Sequence, residues 1–187
     1  MGRYNKLLEE IGKRQPKTIV EVGTHMGMSA VRMVEEAQKF NDDIFYYGFD
    51  LFEYMTEEYK KYEFHGKSNC NFAEPTKKLK KTGCGYKLKG GNTRKTLKKF
   101  DPDRQIDFVF IDGGHSVETI QSDWDNIKRL MDDETVVIFD DYYENRDDVG
   151  CKKVIDEMPE NYNVTLLDPV DYIEKNDLYI RFVKVTK

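Results

Sequence analysis

A chain of 187 residues can bury one α/β core but is too short for two domains of ordinary size, so a single domain over residues 1–187 is predicted. Its 39% hydrophobic and 35% charged residues suit a core with a well-hydrated surface, and no apolar run is long enough to span a bilayer. The three cysteines lack C-x-x-C spacing, which argues against a disulfide framework or a zinc site. Without a signal-like segment at its start, the chain is expected to be cytoplasmic.

The formal net charge of −5 hides a basic block at residues 77–99, which holds ten Lys or Arg and no Asp or Glu. Such a block can attract anionic ligands or can simply solvate several surface elements. The second interpretation is favoured, because the block crosses several predicted elements.

The first half of the chain alternates helices and strands. Tyr4, Leu7 and Ile11 lie at helical spacing and predict an N-terminal helix within residues 1–15, ended by Gln15-Pro16. A buried strand at 17–23 then leads through a glycine-containing turn into a helix at 28–40. Glycines allow a ligand to approach the backbone, and a helix N-terminus offers unpaired N–H groups. This turn is therefore a candidate ligand site.

A second strand at 43–50 ends in Asp50, at the distance along the chain where nucleoside-binding folds hold a ribose. Residues 51–85 are too long and aromatic for an ordinary connection, and we expect them to form a helical, lid-like insertion. A third strand at 86–90, a turn at 91–93 and a short helix at 94–100 follow.

The strongest pattern is a strand–helix–strand unit from Ile106 to Tyr143. Two apolar runs, 106–111 and 135–139, are each followed by aspartates, and the helix between them has Ser116 as N-cap and Trp124 on its apolar stripe. Right-handed crossovers place the ends of parallel strands at one edge of the sheet, so Asp112, Asp140 and Asp141 should converge. A helix at 149–158 and strands at 164–167 and 178–185 close the chain.

Converging carboxylates predict a bound cation. Two of them about 4 Å apart repel by roughly 4 kcal/mol at an effective dielectric of 20, so three need a cation or protons. Oxygen ligands suit Mg²⁺, with Mn²⁺ or Ca²⁺ as alternatives. Taken alone, aspartates at strand ends could instead be turn or cap residues.

The glycine turn reads Glu21-Val22-Gly23-Thr24-His25-Met26-Gly27-Met28-Ser29, which matches neither the dinucleotide nor the phosphate-loop motif. The pattern E-x-G-x-x-x-G-x-S resembles the cofactor loop of class I S-adenosylmethionine-dependent methyltransferases, in particular the metal-dependent catechol O-methyltransferase group. Asp112-Gly113-Gly114-His115-Ser116, with Asp123 and Asp140-Asp141, is similar to the related bacterial small-molecule and sugar O-methyltransferases. The resemblance covers Thr18 to Tyr143.

The resemblance implies a Rossmann-like α/β fold with a seven-stranded, mostly parallel sheet and helices on both faces. It also implies a site. The expected cofactor-binding residues are Glu21, Gly23, Thr24, His25, Gly27, Ser29, Asp50, Asn92, Thr93 and Asp112. Asp112, Asp140 and Asp141 match the metal ligands of the group. His115 lies where the group has a lysine base, and together with Asp112 it is the expected catalytic residue.

The sequence thus predicts S-adenosylmethionine-dependent, divalent-metal-assisted methyl transfer to a hydroxyl of a small molecule, with a sugar-like or anionic acceptor ranked above a catechol. The alternatives are a metal-independent methyltransferase and a non-catalytic module that binds cofactor or nucleic acid, although no RNA-binding motif is visible. A homodimer is left open. His25 and His65 also have a simpler interpretation, as turn and surface residues, and Trp124 is expected in the core.

Overall fold

The computed structural model describes residues 2–63 and 70–187, so His65 and part of the predicted lid lie outside the described residues. The helices are α1 (Arg3–Arg14), α2 (Met28–Ala37), α3 (Glu57–Tyr62), α4 (Ala73–Thr82), α5 (Thr93–Thr96), α6 (Val117–Ile127) and α7 (Lys152–Asp156). The strands are β1 (Thr18–Val22), β2 (Phe45–Asp50), β3 (Gly85–Gly90), β4 (Phe108–Ile111), β5 (Val136–Tyr143), β6 (Asn163–Ile173) and β7 (Leu178–Thr186). Single turns of 3₁₀ helix lie at Phe52–Tyr54, Leu97–Lys99, Lys128–Leu130 and Glu174–Asn176.

Within the described part of the chain, the strands form one seven-stranded sheet in the order β3-β2-β1-β4-β5-β7-β6. The first five strands run parallel, and β7 is antiparallel to both β5 and β6. The connection from β3 to β4 crosses back past β2 and β1, which makes β1 and β4 neighbours at the centre of the sheet. The predicted mostly parallel, Rossmann-like sheet is confirmed.

Helices cover both faces of this sheet and bury one apolar cluster on each. On one face, Leu7 and Ile11 of α1 join Met33 of α2 and Leu79 of α4. On the other face, α6 and α7 pack over the sheet, and Trp124 of α6 is buried as predicted. The fully buried β1 and β4 fit this double coverage, because a central parallel strand is enclosed on both sides.

The N-terminal helix α1 is part of the core rather than an appendage. Leu7 and Ile11 are buried, and the Glu10 carboxylate, also buried, accepts hydrogen bonds from Lys13 Nζ at 2.6 Å and from Lys184 Nζ of β7 at 3.1 Å. Apolar burial and the ion pair to β7 together fix the position of the first turn of α1. This matters for the site, because that turn carries Arg3 and Tyr4.

Strand β6 extends well past its predicted end, to Ile173, but the departure that matters for the site concerns the acidic end of β5. The strand was expected to stop at Phe139, but it continues to Tyr143, so Asp140 and Asp141 lie within it. Parallel pairing with β4 ends at Phe139, and antiparallel pairing with β7 carries the strand onward after an irregularity between Phe139 and Tyr142. The two acids therefore occupy a bulge, where a strand changes the direction of its side chains.

Replacing Ile11 with alanine should lower the free energy of unfolding by about 2–5 kcal/mol, the range for truncating a fully buried aliphatic side chain. Chemical denaturation measures the change. The exposed Glu9→Ala on the same helix is the control and should change stability by less than about 0.5 kcal/mol. Equal effects of the two substitutions would show that α1 does not belong to the folded core.

Candidate cofactor and acceptor site

The site begins where β1 and β4 end side by side. The Asp112 N–H donates to the Val22 carbonyl at 2.8 Å, and the Asp112 carbonyl passes directly over Gly23. A Cβ added to Gly23 would lie 1.8 Å from that carbonyl oxygen, and the residue has φ of 101°. Only glycine fits there. The first glycine of the motif is therefore required by the β4 loop that crosses it.

The second glycine has a similar structural cause. Gly27 caps α2 with φ of 72°, and a Cβ there would lie 2.9 Å from Cβ of Pro75 in α4. Lys78 of α4 also donates to the Met26 carbonyl at 2.7 Å. Helix α4 therefore supports the glycine turn from behind and holds its shape.

Asp50 joins this turn to the segment that follows β2. Its Oδ2 accepts from the His25 N–H at 2.7 Å, and its Oδ1 accepts from the Phe52 N–H at 3.2 Å. Phe52 has φ of 48°, an uncommon conformation for a bulky residue, and its ring packs on Phe72 with the centroids 4.3 Å apart. Asp50 thus lies at the strand end where the sequence places it.

Two adjoining cavities meet along Gly23, Asp50 and Gly113. The larger has a volume of about 390 Å³, within the range of ligand sites. Its lining consists of Tyr4, Gly23, Thr24, His25, Met26, Met28, Ser29, Asp50, Met55, Asp112 and Gly113. Six of the predicted cofactor-binding residues are therefore brought together around one cavity: Gly23, Thr24, His25, Ser29, Asp50 and Asp112.

The smaller cavity, about 40 Å³, contains Asn92 and Thr93, the two residues predicted to border an adenine. Tyr59 of α3 closes it from the lid side, and the Asn92 amide donates to the Tyr59 hydroxyl at 2.8 Å. Asn92 and Thr93 thus line one end of the joined cavities, beside Tyr59.

Glu63 fastens the same lid segment to α6. Its carboxylate accepts from the Ser116 N–H at 3.0 Å, the Ser116 hydroxyl at 2.8 Å and the Thr119 hydroxyl at 2.9 Å. An acid at a helix N-terminus is favourable, because it pairs unsatisfied N–H groups and the positive end of the helix dipole. Glu63 and Tyr59 thus form one wall of the smaller cavity.

Glu21 is placed differently from the prediction that it lines the cofactor cavity. It is 1% exposed, within β1, and accepts a short hydrogen bond from the Tyr46 hydroxyl, which also lies 3.0 Å from the Thr24 hydroxyl. Burial raises the pKa of Glu21 to about 8, with the Tyr46 hydroxyl opposing and the charge of Asp50 adding. At neutral pH Glu21 is therefore mostly uncharged, and it supports Thr24 from behind the wall.

The acidic edge is neutralised by the first turn of α1. Arg3 binds Asp140 at two points along one edge of its guanidinium, with Nε 3.0 Å from Oδ1 and Nη2 3.2 Å from Oδ2. The Tyr4 hydroxyl lies between two carboxylates, 3.1 Å from Asp140 Oδ2 and 3.3 Å from Asp112 Oδ2. Burial and the charge of Asp141 raise the pKa of Asp140, whereas Arg3 opposes both. Burial and the two carboxylates raise the pKa of Tyr4, so it remains a donor.

Asp141, next in the bulge, faces other partners. Its Oδ1 accepts from the Tyr143 hydroxyl at 2.9 Å, and its Oδ2 lies 3.3 Å from His115 Nε2. Asp141 has φ of 61°, and its carbonyl accepts from the Cys151 N–H at 3.0 Å. His115 is therefore buried beside an acid that orients its ring, at the spacing the sequence singles out.

The predicted metal ligands do not form a metal-binding set in this arrangement. Asp140 is bound by a guanidinium, Asp112 contacts the Tyr4 hydroxyl, and Asp141 turns toward Tyr143 and His115. Among residues 2–63 and 70–187, no group of three or more His, Cys, Asp or Glu side chains is disposed to hold an ion. A divalent ion would need the guanidinium to leave Asp140.

Several lining residues were not predicted from the sequence. Tyr4 was assigned only to an amphipathic stripe, and Arg3 was not considered, because nothing local ties the first turn of α1 to strand ends more than a hundred residues away. Tyr59 had been considered only as lid packing or a substrate contact, and Glu63 was covered only by the general prediction of a lid. The only signal in the sequence was the pair Arg3-Tyr4 at the start of an amphipathic helix, in a chain whose predicted sheet edge is acidic.

Comparison with known proteins agrees with this geometry. Residues 20–142 match a family described as a methyltransferase domain. The chain belongs to this family of methyltransferase domains. No curated protein sequence matches the chain.

Solved structures share the fold of this methyltransferase domain. The O-methyltransferase TomG from Streptomyces achromogenes, involved in tomaymycin synthesis and solved with S-adenosylmethionine, has a TM-score of 0.67 at 16% identity, over 98% of this chain and 78% of that one. An O-methyltransferase from Bacillus cereus, solved with S-adenosylhomocysteine, has a TM-score of 0.66 at 14% identity, over 98% and 80%. A candidate rRNA methylase from Clostridium thermocellum has a TM-score of 0.69 at 13% identity, over 100% and 98%.

Behind the cleft of this methyltransferase domain lies a buried acid, Asp123 of α6. A Cβ on Gly113 would be 3.5 Å from its Oδ2, and neither carboxylate oxygen meets hydrogen-bond geometry with a described residue. Burial raises the pKa of Asp123 to about 7. The nearby Thr93 hydroxyl lowers this pKa in part, and the negative charge of Glu63 raises it further. The resemblance includes this aspartate without assigning it a role.

Asp123→Asn should change how stability depends on pH. In the folded protein Asp123 stays protonated up to a pKa of about 7, whereas the unfolded chain ionises near pH 4, so wild-type stability should fall as pH rises between these values. Asparagine lacks this transition, and the variant should gain on the order of 3 kcal/mol relative to wild type between pH 4 and pH 8. Thermal and urea unfolding across this range make the comparison. Asp125→Asn, exposed on the same helix, should track the wild type. Parallel curves for Asp123→Asn and wild type would contradict the assignment.

Proposed function

We propose that this chain is an S-adenosylmethionine-dependent methyltransferase that acts on a hydroxyl group of a small molecule. The observation that carries the proposal is the pair of joined cavities along Gly23, Asp50 and Gly113. One end offers Asn92 and Thr93 to a base, and Asp50 lies where a ribose would sit. The other end offers polar turn residues and the acidic edge. A nucleoside joined to an amino acid has this order of groups.

The residues divide the work of binding along the cleft. Asp50 would accept from ribose hydroxyls, while Thr24 and Ser29 would contact the methionine portion. When bound, S-adenosylmethionine supplies an electrophilic methyl carbon: the acceptor oxygen forms a bond to it, the carbon–sulfur bond breaks, and the sulfur keeps the electron pair. The protein's contribution is to hold the acceptor oxygen in line and to exclude water.

His115 is the proposed general base. Asp141 beside Nε2 favours the tautomer that carries its proton there and the lone pair on Nδ1. Contacts continue from this ring toward the larger cavity: Asp141 beside His115 donates its backbone N–H to the Asp140 carboxylate, and the Tyr4 hydroxyl joins Asp140 to Asp112 at the cavity wall. The proton lost by the acceptor hydroxyl would pass to His115 and then to solvent.

The divalent ion predicted from the sequence remains a prediction, and no step of the proposed reaction passes through it. Assistance by Mg²⁺, Mn²⁺ or Ca²⁺ would require the Arg3 guanidinium to separate from Asp140. The contacts of Arg3 and Tyr4 favour the metal-independent alternative instead.

The nature of the acceptor, the cytoplasmic location and the homodimer remain predictions as well. Nine of the ten basic side chains at 77–99 are exposed, and Lys78 instead contacts the glycine turn. No helix among the described residues is both long and apolar enough to cross a membrane. A sugar-like or phosphorylated acceptor remains preferred to a catechol.

Titration calorimetry with S-adenosylhomocysteine tests the cofactor site. Asp50→Asn should weaken binding by about 1–3 kcal/mol, roughly 5- to 150-fold, because hydrogen-bonding groups lose a charged partner. Asp42→Asn removes the same charge from an exposed position before β2 and should bind like the wild type. Binding of NAD, with no binding of S-adenosylmethionine or its demethylated product, would overturn the proposed function.

Methyl transfer from labelled S-adenosylmethionine to a panel of acceptors tests the reaction. The panel contains a neutral sugar, a sugar phosphate, a catechol and a short RNA, which covers the nucleic-acid alternative. His115→Gln should reduce kcat on the best acceptor about 10²-fold or more and alter its pH profile, while S-adenosylhomocysteine affinity is unchanged. A variant with the wild-type rate and pH profile would remove His115 as the base, and a preference for RNA would replace the small-molecule acceptor.

A further inference from the structure

Arg3 is held in a site built for a cation. Besides its two contacts with Asp140, Nη1 lies 3.2 Å from Asp171 Oδ2, and the backbone N–H of Arg3 donates to the same oxygen at 3.3 Å. Asp140 comes from the bulge of β5 and Asp171 from β6, so two strands present carboxylates to one guanidinium. A planar guanidinium bound along two edges has little freedom to rotate.

Aromatic rings complete the enclosure. The guanidinium carbon lies 5.0 Å from the centre of the Tyr4 ring and 5.5 Å from that of Phe182. The Tyr4 ring meets Phe182 edge to face at a centroid distance of 5.4 Å, and Phe110 likewise at 6.4 Å. Rings at these distances favour a cation electrostatically. The side chain of Arg3 is consequently only 15% exposed.

This cation binds Asp140, one of the three acids at which the sequence predicts a metal ion. Asp112 and Asp140, two of the three expected ligands, share the Tyr4 hydroxyl, and Asp140 is occupied by Arg3. A single positive charge supplied by the chain therefore compensates the acids at the acceptor end of the cleft. The anchoring of α1 through Leu7, Ile11 and Glu10 keeps that charge in place.

We propose that Arg3 is the resident cation of the acceptor site, taking the place of a divalent ion beside Asp112, Asp140 and Asp141. Tyr4 adds a neutral donor that holds two of these carboxylates at the cavity wall. Arg3 is thus a positioning residue: it sets the charge and orientation of the acids, and Tyr4 alone reaches the cavity. The assignment rests on the proposed function only in naming this end of the cleft the acceptor end.

Binding of Mn²⁺ tests the assignment without any acceptor. Protein saturated with S-adenosylhomocysteine is titrated with Mn²⁺ at pH 7.5, and free ion is counted by electron paramagnetic resonance. The wild type should show no stoichiometric site tighter than about 1 mM. Arg3→Met, which keeps the length of the side chain but removes its charge, should bind one Mn²⁺ at least about tenfold more tightly than the wild type, because a neighbouring unit charge no longer opposes the ion.

Three further variants separate charge from packing. Arg3→Lys retains the charge and should exclude Mn²⁺ like the wild type. Tyr4→Phe removes a donor but no charge and should also exclude Mn²⁺. Arg32→Met removes an exposed arginine of neighbouring α2 and, as the matched control, should bind Mn²⁺ no more tightly than the wild type. S-adenosylhomocysteine affinity within about threefold of wild type shows that the Arg3 and Arg32 variants are folded. Because Tyr4 lines the larger cavity, the folding of Tyr4→Phe is checked by circular dichroism instead.

The outcomes are distinct. A stoichiometric Mn²⁺ site in the wild type, lost in Asp140→Asn, would overturn the proposal in favour of a true metal centre. Absence of Mn²⁺ binding in both the wild type and Arg3→Met would also overturn it, because the acids would then not be a cation site at all. Failure of the wild type to bind S-adenosylhomocysteine would instead count against the proposed function and would leave the Mn²⁺ comparison readable on the protein alone.

Discussion

The cleft depends on the contact between the Asp112 backbone and Gly23 at the ends of the two central strands. Because β4 pairs with β1, the loop after β4 must cross the turn after β1, and no side chain fits between them. This crossing sets Asp112 and Gly113 against the glycine turn and so creates the edge shared by both cavities. The same topology places β5 next to β4 and brings Asp140 within reach of the same end of the sheet.

The second constraint is electrostatic. Asp112, Asp140 and Asp141 come together because parallel strands end at one edge, and the fold must then compensate them. It does so with two donors from a distant segment, Arg3 and Tyr4 of α1, and two from nearby, Tyr143 at the end of β5 and His115 in the β4 loop. A buried acid with a charged partner and hydrogen-bond donors costs far less than an isolated one. The polar series toward the cleft is a consequence of this compensation.

The sequence predicted the parts of the fold that are governed by local pattern. Apolar strands, the helical stripe containing Trp124 and the glycine turn all express spacing along the chain, and the seven-stranded, mostly parallel sheet followed from the resemblance. The convergence of the strand-end acids could be deduced from topology alone. Their partners could not, because a salt bridge such as Arg3–Asp140 joins residues 137 positions apart and leaves no local pattern.

The predicted ends of elements were wrong where pairing between distant strands overrides the local sequence pattern. Strand β5 continues through two aspartates because β7 supplies a second partner after β4 has ended, and no propensity would extend a strand through such residues. Glu21 is a second position at which the local sequence pattern did not predict the contacts of the side chain. Its place in the motif suggested a ligand contact, but its side chain contacts Tyr46 of the neighbouring strand β2, and burial there raises the pKa of its carboxyl group.

Asp50 connects two segments that border the cleft. One of its oxygens holds the glycine turn and the other holds the backbone at the start of the segment that continues to Tyr59 and Glu63. A ribose hydroxyl that donated to this carboxylate would therefore affect both the glycine turn and the segment after β2. Occupancy of the nucleoside position and the conformation of that segment would then be thermodynamically linked, in both directions, through one side chain.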